Sequence, residues 1–212
     1  MTEETPAARI MAARAAMASL PPAGLDLLFR EARTFNGFDP RPVEPELLDA
    51  IIDLTRWGPT AMNGLPLRVS FLTSPEAKAR LEPLLSSGNR EKTMAAPVTA
   101  ILWADLDFWR HLPRLAPHMT DPEAMFSGNP DLATRTARLS AGLQAGYFLL
   151  AARALGLDCG PMEGFRKAET AVEFSAGRNW EALLLVNLGH GDPARLRPRA
   201  ARLDPAEIAE RL

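Results

Sequence analysis

The segment Ser140–Phe165, SAGLQAGYFLLAARALGLDCGPMEGF, constrains the fold more than any other stretch of this chain. Its first half carries apolar residues on nearly every side of a helix, interrupted only by Gln144 and Arg153. Such a helix belongs in a protein core or at a subunit interface, and this one is too short and too polar to span a bilayer. We expect Gly156 to end it. The glycines and proline between residues 160 and 164 then predict a loop whose peptide N–H groups a flat ligand can approach.

Composition narrows the class of protein. The 212 residues, 47% of them hydrophobic, predict one domain over residues 1–212, with a helical extension over residues 1–24. The net charge of -2 predicts neither nucleic-acid nor membrane binding, and favours a small, roughly neutral partner. Glu3 and Glu4 stand where a targeting peptide would be basic, so we expect a cytoplasmic protein. The single cysteine, Cys159, fits a reducing compartment. Two roles are open for it, a buried side chain or a catalytic nucleophile.

Hydrophobic periodicity and turn residues predict the remaining elements. Residues 86–92, SSGNREK, are predicted to form a turn, and Asp105–Asp131 to form a variable excursion. The predicted helices are Gly24–Ala32, a helix from Pro45 to about Trp57, a helix from Pro75 through Leu85, and a short terminal helix after Asp204. The predicted strands are Leu67–Thr73, Pro97–Ala104 and Ala182–Gly189.

Motifs for unaided catalysis are missing from the sequence. The three histidines have no metal-ligand spacing, so no metal site is expected. Residues 189–194, GHGDPA, match a dinucleotide fingerprint, but too little chain follows them to supply the helix, second strand and acidic residue that the fingerprint needs. What remains is a set of polar loops with accessible backbone, which favours a reaction carried by a cofactor.

Four of these segments occur in a characteristic order. They are ARTFNGF at 32–38, GPTAMNGLPLR at 58–68, SSGNREKTMAAPV at 86–98 and GLDCGPMEGF at 156–165. Together they resemble the nitroreductase family of flavin enzymes, within it the malonic semialdehyde reductases of pyrimidine breakdown. The resemblance runs from about Asp26 to the C-terminus. It implies an α+β fold with a central, mostly antiparallel sheet flanked by helices, in an intertwined homodimer with FMN at the subunit interface. NADH or NADPH would be the hydride donor.

The resemblance also implies roles for individual residues, with flavin N5 carrying the hydride. Arg33, Thr34 and Asn36 would bind the phosphate and ribityl chain. A loop from the partner subunit would lie along the edge of the flavin ring, and Asn89 would contact the pyrimidine end of the ring. Arg199 and Arg202 would help to hold the phosphate. The partner loop contributes Pro59, Thr60, Ala61 and Asn63, and a loop over the central ring contributes Pro161, Met162, Glu163 and Gly164.

Some expectations stay open in the sequence. Glu163 is an alternative general acid, although hydride transfer needs none. Phe126, His111 and His118 line the acceptor pocket or belong to a packed loop. Ala32, Leu65 and Asn36 depart from common family residues, which predicts either weaker binding of the phosphate or more reliance on Arg199 and Arg202. His190 replaces a tyrosine that is frequent in the family. The implied activity is reduction of malonic semialdehyde to 3-hydroxypropionate. The alternatives are a promiscuous nitroaromatic or quinone reductase, a non-catalytic FMN carrier or sensor, and a helical interaction module without cofactor.

Overall fold

The chain folds into helices around a four-stranded antiparallel sheet, which confirms the predicted α+β class. The structure is a computed structural model and describes residues 5–212, so residues 1–4 of the predicted extension lie outside it. The helices are α1 Pro6–Ala16, α2 Pro22–Leu25 with a π-helical turn Asp26–Arg30, α3 Pro45–Thr55, α4 Pro75–Leu81, α5 Ser87–Ala95, α6 Leu112–Leu115, α7 Pro122–Ser127, α8 Pro130–Ala154, α9 Lys167–Phe174 and α10 Pro205–Ile208. The strands are β1 Leu67–Leu72, β2 Val98–Asp105, β3 Asp158–Met162 and β4 Trp180–Gly189, in the order β1-β2-β4-β3.

Helix starts follow directly from the sequence. A proline in the first turn comes after an oxygen-bearing N-cap side chain that accepts a backbone N–H bond. The caps are Thr5 of α1, Ser74 of α4, Asp121 of α7 and Asn129 of α8. The short terminal helix predicted after Asp204 is confirmed as α10, where the N–H of Asp204 donates to Oε2 of Glu207 at 2.8 Å. The end of α8 is also as predicted, because Gly156 adopts a positive φ of 83° that ordinary residues avoid.

The core lies on both faces of the sheet, and every residue of β2 is buried. On one face, α3 and α8 pack against the sheet through residues such as Ile51 and Phe148. On the other face, Leu81 of α4 packs with Trp103 and Leu185 of the sheet. The three predicted strands are therefore confirmed, and the central position of α8 explains its apolar sequence.

Two segments differ from their predicted structure. Residues 160–162, the first part of the loop predicted at 160–164, belong to β3, because antiparallel pairing with β4 outweighs the weak strand propensity of Gly160 and Pro161. Proline is tolerated there because β3 is an edge strand of the sheet. Residues 87–92, predicted as part of a turn, form most of α5. The buried side chain of Thr93 packs this helix onto the protein, and tertiary packing overrides the local turn signal.

Asp105–Asp131, the predicted excursion, contains a 3₁₀ turn at Phe108–His111 followed by α6 and α7. Its aromatic rings face inward, and Phe108 and Phe126 meet edge to face with centroids 5.0 Å apart. The excursion is thus packed against α8 through a small core of its own. Within residues 5–212, no helix combines the length and hydrophobicity needed to cross a bilayer.

Candidate functional site

A basic cavity of about 400 Å³ lies where the end of α8 meets the segment after the π-helical turn and the C-terminal tail. Four residues predicted to hold a phosphate line it, namely Arg33, Thr34, Arg199 and Arg202. Arg153 of α8 lines it as well. Across residues 5–212, none of these four guanidinium groups forms an ion pair with a carboxylate. Unneutralised arginines around a small cavity are the donor set that a phosphate requires.

The two walls of the cavity are fastened to each other by their own arginines. Arg33 donates through Nη2 to the carbonyl oxygen of Arg197 at 2.5 Å, and Arg199 donates through Nη2 to that of Ala32 at 3.3 Å. Each guanidinium thus holds the opposite segment with one nitrogen and keeps further N–H donors available. The C-terminal tail is positioned by these bonds.

Asn36 is half-buried, as Arg33 is, and contacts α5. Its Oδ1 accepts a hydrogen bond of 3.1 Å from Nζ of Lys92 on α5, and it does not line the cavity. Burial, followed by the nearby charge of Arg197, lowers the pKa of Lys92. Asn36 therefore connects α5 to the cavity-forming segment.

The segment that carries Thr34 runs along the outer edge of β3. Thr34 forms a parallel bridge with Cys159, and the N–H of Phe35 donates to the Cys159 carbonyl at 3.0 Å. A Cβ atom at Gly160 would lie 2.7 Å from the Phe35 carbonyl oxygen, so only glycine permits this approach. Gly160 therefore admits the neighbouring Thr34–Phe35 segment at close range.

Asn89 and the loop after β3 meet at a second corner of the sheet edge. Asn89 Nδ2 donates to the carbonyl oxygen of Gly164 at 3.0 Å, and the N–H of Ser86 donates to the same oxygen at 3.0 Å. A Cβ at Gly164 would lie 2.5 Å from Asn89 Nδ2. In the described part of the chain, the N–H of Gly164 has no acceptor. The structure therefore joins Asn89 to the 161–164 loop and leaves a backbone donor beside them.

A buried polar network fixes α5, which carries Asn89, onto the sheet. Asn187 of β4 accepts a hydrogen bond from Thr99 at 2.9 Å and donates to Thr93 at 3.3 Å. At the end of α5, Nζ of Lys78 donates to the carbonyl oxygens of Met94, at 3.0 Å, and Ala96. Burial lowers the pKa of Lys78 to about 8. Satisfied buried networks of this kind hold an element in one position.

The structure disfavours two reactive roles left open by the sequence. Lys167 donates to Oε1 of Glu163 at 2.6 Å and thereby lowers the pKa of this exposed carboxyl, which does not favour a general acid at this position. Cys159 is buried, and burial raises the pKa of its thiol to about 12, against a smaller opposing effect of the Arg153 charge. A buried, protonated thiol is not a nucleophile, so the nucleophile alternative is wrong.

The loop at residues 58–66 lies elsewhere, against the first half of α8. The N–H of Ala61 donates to Oγ of Ser140 at 3.2 Å, and Asn63 Nδ2 donates to the carbonyl of Leu115 at 2.9 Å. The loop's backbone is strained, with positive φ at Met62, Asn63 and Leu65. Within it, Thr60 Oγ1 accepts a bond from the N–H of Leu65 at 3.2 Å, whereas Pro59, Ala61 and Asn63 are exposed.

The predicted site residues therefore fall into two groups. One group lies at the β3 edge, in the basic cavity and at the Asn89 corner. The other group lies on the 58–66 loop, which contacts α8 at Ser140, whereas the cavity contacts it at Arg153. These two positions are about 20 Å apart along the helix axis. A single chain thus presents the two groups at opposite parts of its central helix.

An exposed apolar strip on α8 adjoins the second group. Leu139 and Leu143 are 69% and 48% exposed, and Tyr147 continues the strip beside Gly58 of the loop. Cβ atoms at the intervening Gly142 and Gly146 would meet nothing within 4 Å. The helix predicted to be a core pillar or an interface is therefore buried on one side and uncovered on the other.

The three residues suggested for an acceptor pocket lie in three different environments in the structure. Phe126 is buried in the core of the excursion, which favours the packed-loop alternative for that ring. His118 is exposed. His111 lines a largely apolar cavity of about 500 Å³ between α3, β1 and the excursion, together with Leu67 and Gln144. Among the described residues there is no cluster of side chains that could hold a metal ion.

Arg153 is the site residue that the sequence did not reveal. Its signal was visible as a charged interruption near the end of an otherwise apolar helix. An arginine there carries a cost unless it reaches solvent or a ligand. That signal alone could not specify a cavity, because the other walls come from segments far away along the chain in either direction.

Comparisons with known proteins agree with this architecture. Residues 29–190 match the model of the nitroreductase family. A Leptothrix cholodnii protein with the provisional name NADH dehydrogenase/NAD(P)H nitroreductase is 56% identical over 180 residues, covering 85% of this chain and 91% of its own length. A Stenotrophomonas maltophilia K279a protein of the same provisional name is 53% identical over 191 residues, covering 90% of this chain and 97% of its own length.

Solved structures share the fold at lower identity. The nitroreductase ydfN of Bacillus subtilis superposes with a TM-score of 0.78 at 19% identity, covering 90% of this chain and 99% of its own. A protein of Exiguobacterium sibiricum provisionally named a nitroreductase, solved in complex with FMN, superposes with a TM-score of 0.77 at 19% identity. The match covers 92% of this chain and 99% of that protein. With the family model and the close relatives in agreement, this chain belongs to the nitroreductase family of NAD(P)H-dependent flavin oxidoreductases.

Proposed function

We propose that this chain uses FMN to pass hydride from NADH or NADPH to a small electrophile, with malonic semialdehyde, reduced to 3-hydroxypropionate, as the physiological acceptor. The flavin supplies the hydride relay. The acceptor takes up one hydride and one proton per turnover. Because Glu163 is ionised by its contact with Lys167, the proton comes from solvent in this proposal and not from that side chain.

The observation that carries the proposal is the pairing of the basic cavity with the Asn89 corner along one edge of the sheet. The cavity offers guanidinium groups without carboxylate partners in residues 5–212, which suits a phosphate. The Asn89 corner offers a side-chain amide and the N–H of Gly164, which suits the hydrogen-bonding edge of a flavin ring. The residues present therefore fit FMN at both ends of the molecule.

In this arrangement, each group of residues has a physical task. Arg33, Arg199 and Arg202 would bind the phosphate, with Thr34 as a further donor. Asn89 would orient the ring, held by α5 and its buried network. The N–H of Gly164 would donate toward the ring, and Pro161 and Met162 would lie beneath it as part of β3. A preorganised set of neutral donors favours negative charge on a ligand without rearrangement.

The second group, Pro59, Thr60, Ala61 and Asn63, would complete the site of a second copy of the chain. The loop lies beside the exposed apolar strip of α8, so a homodimer formed through that strip would carry each loop to its partner. Small residues at 142 and 146 would allow two α8 helices to approach closely. The exposed apolar residues and the unused loop support a homodimer with one site at each side of its interface.

The experiment is the visible absorbance of the purified protein before and after anaerobic addition of NADH or NADPH. The proposal predicts a bound-flavin band, present on purification or acquired after FMN is added and excess removed, that bleaches with the nicotinamide. Its return on adding malonic semialdehyde, faster than with nitroaromatics or quinones, would support the acceptor.

Each alternative gives a different result. A non-catalytic carrier or sensor would bind FMN without bleaching, and a promiscuous reductase would reoxidise equally well with nitroaromatics or quinones. A helical interaction module would stay colourless after incubation with FMN, which would overturn the site altogether.

A further inference from the structure

Arg153 lines the basic cavity from the central helix, whereas Arg33, Arg199 and Arg202 reach it from irregular segments. We propose that Arg153 is a further phosphate-binding residue and anchors the cofactor to α8. This inference rests on the proposed function, because it assigns Arg153 to the phosphate of the same FMN.

The hydrogen bonding of Arg153 leaves most of its donors free. In the described structure, its guanidinium makes one bond, a long one of 3.4 Å from Nη1 to the carbonyl oxygen of Leu28. It is half-buried and has no carboxylate partner in residues 5–212. A partly desolvated guanidinium with unused donors is stabilised by an anion that accepts hydrogen bonds from it.

The surroundings place this charge near the predicted phosphate binders. Burial raises the pKa of Cys159, and the positive charge of Arg153 opposes that effect, so the two side chains are close in space. Cys159 in turn pairs with Thr34, which lines the same cavity. Ala32 also lines the cavity and contributes no side-chain donor, whereas Arg153 adds a guanidinium group to it.

The helix gives Arg153 a property that the other three arginines lack. Arg33 and Arg199 use donors to hold two irregular segments together, whereas Arg153 starts from a regular helix packed in the core. Less conformational entropy is lost when such a side chain binds a phosphate. Arg153 therefore fixes the position of the phosphate relative to the sheet.

The test compares binding of FMN with binding of riboflavin, which lacks the phosphate, by titration of flavin fluorescence against the apoprotein. Arg153→Gln is expected to weaken FMN binding at least tenfold and to leave riboflavin binding within about twofold of wild type. Arg153→Lys, which keeps the charge but not the planar fork, should recover part of the loss. The matched control is Arg135→Gln, which removes an exposed arginine of the same helix about 27 Å away along its axis.

The outcomes separate this inference from the proposed function. Unchanged FMN affinity in Arg153→Gln, or equal weakening of FMN and riboflavin, would overturn the assignment while leaving the flavoenzyme intact. Failure of the wild-type protein to bind either flavin would overturn the proposed function itself. If Arg153→Gln does not fold, the same comparison is made with Arg153→Lys, where selective weakening of FMN supports the assignment and equal affinity overturns it.

Discussion

The β3 edge and the outer side of α8 differ in how far one chain completes them. At the β3 edge, hydrogen bonds within the chain join the cavity walls, Asn89, Gly164 and the underlying network. On the outer side of α8, apolar side chains are uncovered beside a loop whose backbone is strained. In the proposed function, the first region receives a ligand and the second receives a protein surface. Function in this account needs both regions, taken from two different copies.

The largest effect is expected from a substitution in the exposed apolar strip of α8. Leu143→Glu would place a charge at the centre of the proposed interface twice, once from each copy. Losing about 2 kcal/mol of apolar burial per copy raises the dimer dissociation constant by about a thousandfold. Sedimentation equilibrium would measure the dimer, and flavin absorbance would report the accompanying loss of FMN.

Val172→Glu is the matched control, because Val172 is 86% exposed on α9, away from the strip. It should leave both the dimer and FMN binding unchanged. A Leu143→Glu protein that stays dimeric and yellow would show that the strip is not the interface.

The next prediction concerns the β3 edge, where the buried Lys78 makes the free energy of unfolding depend on pH. Because burial lowers the pKa of Lys78 from 10.5 to about 8, the unfolded chain binds more protons than the folded chain between these pH values. The free energy of unfolding should therefore rise by about 3 kcal/mol over this window, relative to Lys78→Met, and should not change through this group below it. Urea unfolding of both proteins at several pH values measures the difference. A wild-type protein that loses stability relative to Lys78→Met as the pH approaches 10.5 would contradict the expectation.

The smallest expected effect concerns the Asn89 corner. Gly164→Ala would place a Cβ 2.5 Å from Asn89 Nδ2 and 2.6 Å from Ser86 Oγ, so the corner must open. We expect about tenfold weaker binding of both FMN and riboflavin, since the ring and not the phosphate is affected.

Gly88→Ala on the neighbouring α5 is the control, because a Cβ there meets nothing within 4 Å and alanine favours the helix. Its flavin affinities should match wild type. Full flavin affinity in Gly164→Ala would remove the Asn89 corner from the site.

The sequence predicted best what depends on local signals. Pairs of an N-cap residue and a proline marked the starts of α4 and α10, Gly156 marked the end of α8, and apolar runs marked β2 and β4. It failed where distant partners decide the structure. The strand β3 depends on pairing with β4, and α5 depends on Lys78 and on packing from other elements.

The same division holds for the site. The family resemblance pointed to Arg33, Thr34 and the Asn89 corner, because those residues lie in short recognisable segments, and to Arg199 and Arg202 by their place near the C-terminus. It could not assign Arg153, which shares a cavity with residues far away in sequence, and it could not show that Phe126 is packed in a core of its own.

The most direct test of the two-copy site is a mixed dimer. One copy would carry Arg33→Gln and Arg199→Gln, the other Thr60→Ala and Asn63→Ala, with different tags so that heterodimers can be purified. If the cavity of one copy works with the loop of the other, a heterodimer keeps one intact site of its two, and should bind about one FMN per dimer and bleach with NADH or NADPH. Each homodimer should bind none tightly. A heterodimer that is as defective as both homodimers would show that each site is built within a single chain, which would contradict the account.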